Sequence, residues 1–509
     1  MSHKLKILQG SASNIMRVAL SMLVALVLPP LLVHRMSPAE YGAWVLILQC
    51  SAYVNLLDLS LQTAIGKFVA EYDAVGDRTA SSRILSSSFA ILCVSAVFGA
   101  LAICVISWRV PQIFHQVPAA LTGDLRQGIL VVGASAALAL PFTAFLATFI
   151  GLQKYWFPTA LAMTSKILTS ATLVAILLMH GKIVQLTWAM AAFNVATAAG
   201  QFFGWSKYVR DRVSFSFSLI DRIAALRLAK YSGVLSVWTV ASLFVSGLDM
   251  VIVGHYDYKN TGYYAIGIAV TNFMLLVINS IFSPLLPAIS SLQSGSTSAR
   301  IGEMTIKVTR YCVLLMCLIG LPLVFGSYPL LKLWVGHDYA IRSALFLQVL
   351  VLGNVIRECG YPYSLIVVAT GKQHLATMAA IAEAAVNVTV SIYLVQRIGA
   401  VGVAIGTFVG AFVSVGLHIA LSMRLTRATI TMSRRAFVFQ GLLRPLLCVI
   451  PAVLLLPFWR RSVMLPVNPS LMGVWAFATL AIAWLVGLTA AEKLECKQIF
   501  FRLIYLHQA

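Results

Sequence analysis

Charged residues are scarce in this chain of 509 residues, because only 10% are Asp, Glu, Lys or Arg and only 16 are acidic. Hydrophobic residues make up 60%, and the mean hydropathy is +0.90. This composition excludes an ordinary soluble domain, in which about 25% of the residues are charged. It predicts an all-α, polytopic membrane protein whose apolar runs of about twenty residues cross the bilayer as helices.

Motifs of several enzyme and metal-binding classes are also missing. The sequence has no GxxxxGK[ST] phosphate loop, so we do not expect this chain to use ATP directly. Its nine His residues do not cluster with Cys or carboxylates at ligand spacing, and neither a metal nor another cofactor is predicted. The Cys residues lie in apolar runs, apart from Cys496 in the C-terminal tail, so no disulfide framework is predicted.

Long hydrophilic outer loops are absent as well. The longest outer stretch, 109–125, offers only Arg109, His115 and Asp124 for acid or base chemistry. Among membrane enzymes, the main class to consider is a polysaccharide polymerase, which is expected to carry such residues in a sizeable outer loop. We therefore predict that the chain is not an enzyme. The net charge of +21 indicates membrane topology and not a nucleic-acid partner.

The apolar runs between charged breaks predict fourteen transmembrane helices, the last two near 437–459 and 467–490. The first run has no cleavage site before His34, which favours a retained span. With both termini in the cytoplasm, the inner loops hold more than twice as many Lys and Arg residues as the outer loops. The inner set includes Arg310.

Two sequence features predict the domain organisation. The basic stretch from Lys207 to Tyr231 resembles a linker and includes a possible amphipathic helix on the inner surface. Gly42 and Gly262 lie beside Tyr at the start of two spans that each follow a polar loop, which indicates a weak repeat of six-span units. The predicted parts are a lobe at 1–208, a linker at 209–230, a second lobe at 231–424, and two extra helices with a cytoplasmic tail at 425–509.

The second apolar run, 41–72, contains a carboxylate. Ser51, Asn55, Asp58 and Gln62 follow one another at steps of four, three and four, which predicts one polar face on a continuous helix. A carboxylate at mid-membrane costs about 2.5 to 3.5 kcal/mol. Asp58 therefore marks a substrate or ion path, or it accepts hydrogen bonds from a neighbouring helix.

The tenth run contains a second polar face. Asn354, Arg357, Glu358 and Tyr361 follow at i, i+3, i+4 and i+7, and Arg357 is too deep for its side chain to reach either membrane surface. We expect this face to form a substrate site. The alternative is an ion pair between Arg357 and Glu358 or Glu383 that only fixes helix packing.

Gly360 and Pro362 follow this face at once. They predict a broken helix whose unwound segment lines a cavity.

Further deep charges are distributed over both predicted lobes. Lys166 lies in the fifth span, Asp249 ends a serine-rich face of the seventh, and Glu383 pairs with Asn387 at i, i+4 in the eleventh. Together with Asp58, they predict a central hydrophilic cavity. Glycines at four-residue spacing in the twelfth span predict a close-packing helix face: Gly402, Gly406 and Gly410.

Three stretches resemble a known family: SPAEYGAWVLILQCSAYVNLLDLSLQTAIGKFVAEY, LDMVIVGHYDYKNTGYYAIGIAV and GAVGVAIGTFVG. They are similar to the polysaccharide (O-antigen, Wzx-type) flippases of the multidrug/oligosaccharidyl-lipid/polysaccharide exporter superfamily. Where that family often has Asp-Leu-Gly, this chain has Asp58-Leu59-Ser60. The resemblance implies a V-shaped bundle of two six-helix lobes plus two C-terminal helices, which exports undecaprenyl-diphosphate-linked oligosaccharide across the bacterial inner membrane by alternating access.

A diphosphate in a water-filled path needs cationic partners. We therefore predict that Arg357 and Lys166 contact the substrate, together with Asn354 and Tyr361. The candidate ligands for a coupling ion, H⁺ or Na⁺, are carboxylates: Asp58, Asp249 and Glu383.

The resemblance also implies the partners, which are lipid-linked oligosaccharide, membrane lipids, a polysaccharide polymerase and a chain-length regulator, with no nucleic acid. A cation-coupled multidrug exporter of the same superfamily is the alternative. The deep carboxylates, which include Glu358, outnumber Lys166 and Arg357, and this does not exclude such an exporter.

Overall fold

The computed structural model describes residues 3–58, 60–282, 298–451, 477–490, 492–494 and 498. These residues form helices, turns and loops, and none of them lies in a β-strand. Twelve helical segments of this part are long and apolar enough to cross a membrane, which confirms the all-α, polytopic membrane fold. The last two predicted spans extend into residues 452–476, which lie outside the described residues.

We number the longer helices in chain order. They are α1 (His3–Val33), α2 (Pro38–Asn55), α3 (Leu61–Ala74), α4 (Arg78–Trp108), α5 (Val110–Ile113), α6 (Ala119–Ala139), α7 (Thr143–Gly151), α8 (Trp156–Leu178), α9 (Ile183–Tyr208), α10 (Arg222–Ser246), α11 (Asp249–Tyr256), α12 (Thr261–Phe282), α13 (Ser298–Phe325), α14 (Ser327–Val335), α15 (His337–Ala369), α16 (Gln373–Ile398), α17 (Val401–Leu417) and α18 (Phe477–Gly487). The stretch from Arg434–Ala436 to Leu447–Val449 consists of short α, π and 3-10 helical turns.

The helices form two compact units. The first comprises Met1–Ala269 with Ile392–Val403, and the second comprises Val270–Ser391 with Ala404–Ala509. Apolar side chains of α3, α4 and α7 form a core in the first unit, and side chains of α13 and α15 do so in the second. Each unit therefore buries apolar surface of its own, whereas the four-part division proposed from the sequence stays a prediction.

The helix predicted to run continuously through Asp58 is interrupted there. α2 ends at Asn55, a 3-10 turn covers Leu56–Asp58, and α3 begins after Ser60, whose φ is +57°. An L-residue in this left-handed region cannot continue a right-handed helix. The single polar helix face predicted through Asp58 is therefore wrong, and this carboxylate lies at a helix break.

The break predicted at Gly360 and Pro362 is also wrong, because α15 continues through both residues. Pro362 has no N–H, so the Glu358 carbonyl one turn earlier loses its normal helical donor. The Cys312 thiol of α13 donates to this carbonyl, with Sγ and O 3.4 Å apart. A donor from the neighbouring helix thus compensates for the proline.

The predicted linker has a different form from the one expected. Residues 209–221 form turns and a 3-10 helix at Phe217–Leu219, and the rest of the predicted linker, residues 222–230, forms the first turns of α10. Asp221 is the N-cap of α10, and its carboxylate accepts a hydrogen bond from the Ala224 N–H at 2.9 Å. The cap starts the helix at Arg222, which ends the linker.

The glycine-rich face of α17 packs closely on α16. A Cβ atom on Gly406 would lie 2.0 Å from Ser391 Oγ, and one on Gly410 would lie 3.1 Å from the Glu383 carbonyl. A Cβ on Gly402 would also collide with α16 backbone. The close-packing face predicted from these glycines is confirmed, and it supports the helix that carries Glu383.

Candidate functional site

A buried ion pair joins α15 to α16 in the second unit. Arg357 Nε donates to Glu383 Oε1 at 2.6 Å, and Arg357 Nη1 donates to Asn354 Oδ1 at 2.8 Å. The Asn354 side-chain amide donates to the Leu350 carbonyl, and this bond orients Asn354 Oδ1 toward the guanidinium of Arg357. The side chains of Arg357 and Glu383 are only 16% and 5% exposed, so these charge-assisted bonds are shielded from water within the protein.

Two atoms of this cluster have no hydrogen-bond partner among the described residues. They are Arg357 Nη2 and Oε2 of the neighbouring Glu358, and both are buried. Buried charged groups without partners are costly, so these atoms are the places where a ligand oxygen, water or a proton would bind. Tyr361 lies one helical turn beyond Arg357 and is half-buried.

In the first unit, Asp58 lies beside two helix breaks. Gln62 and Thr143 lie next to its carboxylate, whereas Oδ1 is buried with no partner in the described part of the chain. Thr143 itself follows the 3-10 turn Leu140–Phe142 that separates α6 from α7. Interrupted helices that surround a carboxylate are typical of cation sites in transporters.

Asp249 lies at a third break, between α10 and α11. The Gly247 carbonyl at this break accepts hydrogen bonds from Gln49 Nε2 at 3.0 Å and from the Tyr53 hydroxyl. The Asp249 carboxylate is buried, and Tyr264 donates its hydroxyl to Oδ2 at 3.4 Å. Asp249 therefore begins α11, just after the break that follows α10.

Lys166 of α8 forms a hydrogen bond to α1 in the first unit. Its Nζ donates to Ser21 Oγ at 3.0 Å, and Arg17 of α1 lies close enough for charge repulsion. Lys166 is half-buried. Two cations thus lie near each other on this pair of helices.

The predicted site residues fall into two sets. Arg357, Asn354 and Glu383 form one hydrogen-bonded cluster in the second unit. The other three charged residues lie apart in the first unit, with Asp58 at the break between α2 and α3, Asp249 on α11 and Lys166 on α8. The assignment of these residues to substrate or ion binding stays a prediction.

A buried ion pair in the second unit was not recognised from the sequence. Arg310 Nη1 donates to Glu492 Oε1 and Oε2 at 2.8 and 2.7 Å, and Nε donates to the Gln440 carbonyl at 2.9 Å. Arg310, assigned to the inner loops above, is buried and not in a loop. The sequence signal that could have revealed Glu492 was the capping pattern Thr489-x-x-Glu492. In this pattern the Thr489 N–H donates to the Glu492 carboxylate and holds it in place.

The Thr143 contact was also missed, because a neutral side chain carries no signal of its depth. Pro141, two residues earlier, was the available sign that the helix is interrupted there.

The sequence profile of a family described as "Polysaccharide biosynthesis protein" matches residues 7–293, which is more than half of the chain. No curated protein matches the sequence. The family match accounts for the motif resemblance in the first half of the chain.

Solved transporters share the fold. An inward-facing multidrug resistance MATE family transporter of the MOP superfamily aligns at 13% identity with a TM-score of 0.64, covering 81% of this chain and 100% of that one. The lipid II flippase MurJ, in an inward closed conformation, aligns at 14% identity with a TM-score of 0.66, covering 98% and 100%. A MOP superfamily transporter from Pyrococcus furiosus aligns at 13% identity with a TM-score of 0.57, covering 84% and 96%. At these identities the likeness shows the fold alone.

Proposed function

Because this chain belongs to the polysaccharide biosynthesis protein family, we propose that it is a flippase for undecaprenyl-diphosphate-linked oligosaccharide. In this proposal it acts by alternating access in the bacterial inner membrane, with both termini in the cytoplasm, and supplies surface polysaccharide biosynthesis. Its shared fold with a lipid II flippase and a MATE transporter supports a transport role.

The Arg357 cluster carries this proposal. A diphosphate needs N–H donors on a positive charge, and a guanidinium offers several in a fixed plane. Two nitrogens of Arg357 are held by Glu383 and Asn354, which leaves Nη2 as the donor for a phosphate oxygen. Lys166, whose ammonium is bonded to Ser21, is the second proposed anion contact.

We further propose that a carboxylate couples transport to an H⁺ or Na⁺ gradient, with Asp58 as the first candidate and Asp249 and Glu383 as the others. The partnerless Oδ1 of Asp58 beside Gln62 and Thr143 supports this choice. Asp58→Asn keeps the shape and hydrogen-bonding capacity but removes the titratable charge. We expect transport to fall and to lose its dependence on the ion gradient. Unchanged gradient dependence would contradict the assignment.

The proposed partners are the lipid-linked oligosaccharide, membrane lipids, a polysaccharide polymerase and a chain-length regulator. These follow from the proposed role in polysaccharide assembly.

A cation-coupled multidrug exporter is the second candidate. One observation favours it, because the two carboxylates of Glu358 and Glu383 outnumber the guanidinium of Arg357 in the buried cluster. A net acidic site suits a cationic drug better than a diphosphate.

Transport by the purified chain in liposomes separates the two candidates. The flippase proposal expects transfer of lipid-linked oligosaccharide between leaflets and no export of cationic dye. In cells, loss of the protein is expected to leave lipid-linked oligosaccharide on the cytoplasmic leaflet without a change in drug sensitivity. Export of dye without any transfer of lipid-linked sugar would favour the exporter.

The same assay tests Arg357. Arg357→Ala should abolish transfer of lipid-linked oligosaccharide, and Arg357→Lys should restore part of it, because the charge is kept but the planar donor set is lost. Arg342→Ala, on the exposed first turns of the same helix, is the matched control and should transport normally. Normal transfer by Arg357→Ala would refute the anion site.

A further inference from the structure

A pocket of about 400 Å³ opens where α4 begins, between this helix and the linker that follows α9. It lies within the first unit and outside every site discussed above. The residues that line it are two arginines, three hydroxyl-bearing residues, one carboxylate and one leucine: Arg78, Arg212, Thr79, Ser82, Ser214, Asp211 and Leu219.

Serines of α4 hold the linker in place along one side of this pocket. Ser82 Oγ accepts from the Ser214 N–H at 2.9 Å, and Ser86 Oγ accepts from the Ser216 N–H at 3.2 Å. Ser87 Oγ accepts from the N–H of Asp221 at 3.0 Å. Because the linker backbone is bonded at three points, the pocket wall has a defined shape without any ligand.

The arginines of this pocket are available to an anion. Arg78 forms no ion pair within the described part of the chain. Arg212 lies 3.7 Å from Asp73, but these side chains are 56% and 40% exposed, and such exposed pairs contribute little. Asp211 is the only carboxylate among the lining residues.

The chain on the linker side of the pocket also has a net positive charge, whereas Glu71, Asp73 and Asp77 precede Arg78 on the other side. The segment 207–230 contains six basic and two acidic residues. An anion near this wall is therefore attracted by more than the two lining arginines.

Several apolar side chains of the linker and of the first turns of α10 are exposed. Phe215 packs on Phe89, with ring centroids 4.9 Å apart, whereas Phe217 is 72% exposed. Ile220, Ile223 and Leu226 are exposed as well. Exposed apolar residues among arginines are typical of protein segments that lie in the headgroup region of a bilayer.

The chain path fixes the depth of this surface. α9 ends at Tyr208 and α4 begins at Arg78, and each of these helices is long and apolar enough to cross the membrane, whereas α10 begins at Arg222 and leads into the candidate span Thr239–Tyr256. The linker and pocket therefore lie where these spans leave the hydrocarbon core, at the level of lipid phosphates.

We propose that this pocket binds the phosphate headgroup of an anionic phospholipid, with Phe217 and its apolar neighbours in the acyl region of the same leaflet. The lipid is a resident partner and not the transported substrate. In the orientation proposed above, it belongs to the cytoplasmic leaflet. The charge, hydroxyl donors and apolar border together fit an anionic lipid better than a free phosphate, which would not use the apolar border.

Lipid binding to the detergent-solubilised full-length chain tests this proposal. Phosphatidylglycerol, counted as bound adducts by native mass spectrometry, should bind more tightly than phosphatidylcholine of the same acyl length. Arg78→Ala should weaken phosphatidylglycerol binding by about fivefold, and the double variant with Arg212→Ala by about thirtyfold. Arg83→Ala removes the same charge from an exposed position on α4 that does not line the pocket, and it should leave binding unchanged.

Several outcomes would overturn the proposal. They are equal binding of the two lipids, unchanged phosphatidylglycerol binding in Arg78→Ala, or an equal loss in Arg83→Ala. Competition by soluble glycerol 3-phosphate at the concentration of the lipid would also refute it, because the site would then recognise free phosphate. Arg78 is exposed, so the single variant remains informative even if the double variant does not fold.

Discussion

At the scale of residues, exchanging Arg357 and Glu383 separates helix packing from substrate binding. Arg357→Glu combined with Glu383→Arg keeps opposite charges across α15 and α16, so the protein should reach normal levels in the membrane. The single Arg357→Glu change should lower thermal stability, because it brings three carboxylates together in a buried cluster. Transport should stay lost in the exchanged variant, since the guanidinium no longer extends from α15.

Thermal denaturation and the liposome transfer assay measure the two effects on the same preparations. Recovery of transport together with stability would show that the pair only fixes packing. That result would contradict the proposed anion site.

The candidate site residues differ in how far the sequence reveals them. Arg357 and Asp58 are recognisable because a charge within a long apolar run is rare and costly. Glu383 was identified as a deep carboxylate and as one of two possible partners of Arg357. The choice between Glu383 and Glu358 depends on which side of α15 contacts α16, and helix periodicity does not contain that information.

At the scale of elements, the first turns of α2 and α12 approach closely through two glycines. A Cβ on Gly262 would lie 2.4 Å from the Pro38 carbonyl, whereas one on Gly42 would lie 3.3 Å from its nearest neighbours. We therefore expect Gly262→Ala to lower the free energy of unfolding by about 1 to 3 kcal/mol, and Gly42→Ala to lower it by less. Thermal denaturation of the two variants compares them, and an equal or reversed effect would contradict this contact.

The buried pair of Arg310 and Glu492 fixes the C-terminal segment to α13. Glu492→Ala should lower the free energy of unfolding by about 3 to 5 kcal/mol, because it leaves a buried guanidinium without its partner. The double variant Arg310→Met with Glu492→Leu should recover most of this loss. Thermal denaturation of the single and double variants gives the comparison, and no loss in Glu492→Ala would contradict a stabilising pair.

The stability that this ion pair contributes depends on pH. Burial by itself would raise the pKa of Glu492, but hydrogen bonds from Thr489 and Arg310 outweigh burial and hold the pKa below its usual 4.5. The stabilisation is therefore complete above pH 4.5 and is lost as the pH falls through the lowered pKa. The difference in melting temperature between wild type and Glu492→Ala should shrink over this acidic range.

The helices themselves were largely predictable, because long apolar runs fix their position. The breaks were not. Asp58 lies at a break because of the backbone of Ser60, a residue that does not usually mark one. Conversely, Pro362 predicts a break, yet α13 supplies a donor that lets α15 continue.

At the scale of the whole molecule, the distribution of Lys and Arg predicts that both termini lie in the cytoplasm. Reporter fusions after Lys207 and after Leu506 should both indicate the cytoplasm, since an even number of spans separates each site from a cytoplasmic N-terminus. A fusion after Lys182, between α8 and α9, is the matched control and should indicate the outer side. A periplasmic signal at Lys207 or Leu506 would contradict the fourteen-span topology.

Composition was sufficient to predict the membrane fold, but not the membership of its two units. Ile392–Val403 belongs to the first unit although the rest of α16 belongs to the second. One cause is Asp257, whose carboxylate accepts a hydrogen bond from the Ala400 N–H at 2.9 Å, just after Gly399 at φ +67°. Such a long-range side-chain contact has no periodic signature in the sequence.

The hydrogen bond from Cys312 to the Glu358 carbonyl affects how the chain should be prepared for labelling. In a cysteine-free variant, Cys312→Ala would leave this buried carbonyl without a donor next to Pro362, at a cost of about 1 to 3 kcal/mol. Serine keeps a hydroxyl that can donate in the same direction. Cys312→Ser is therefore the replacement to use before spin labels or fluorophores are introduced elsewhere in the protein.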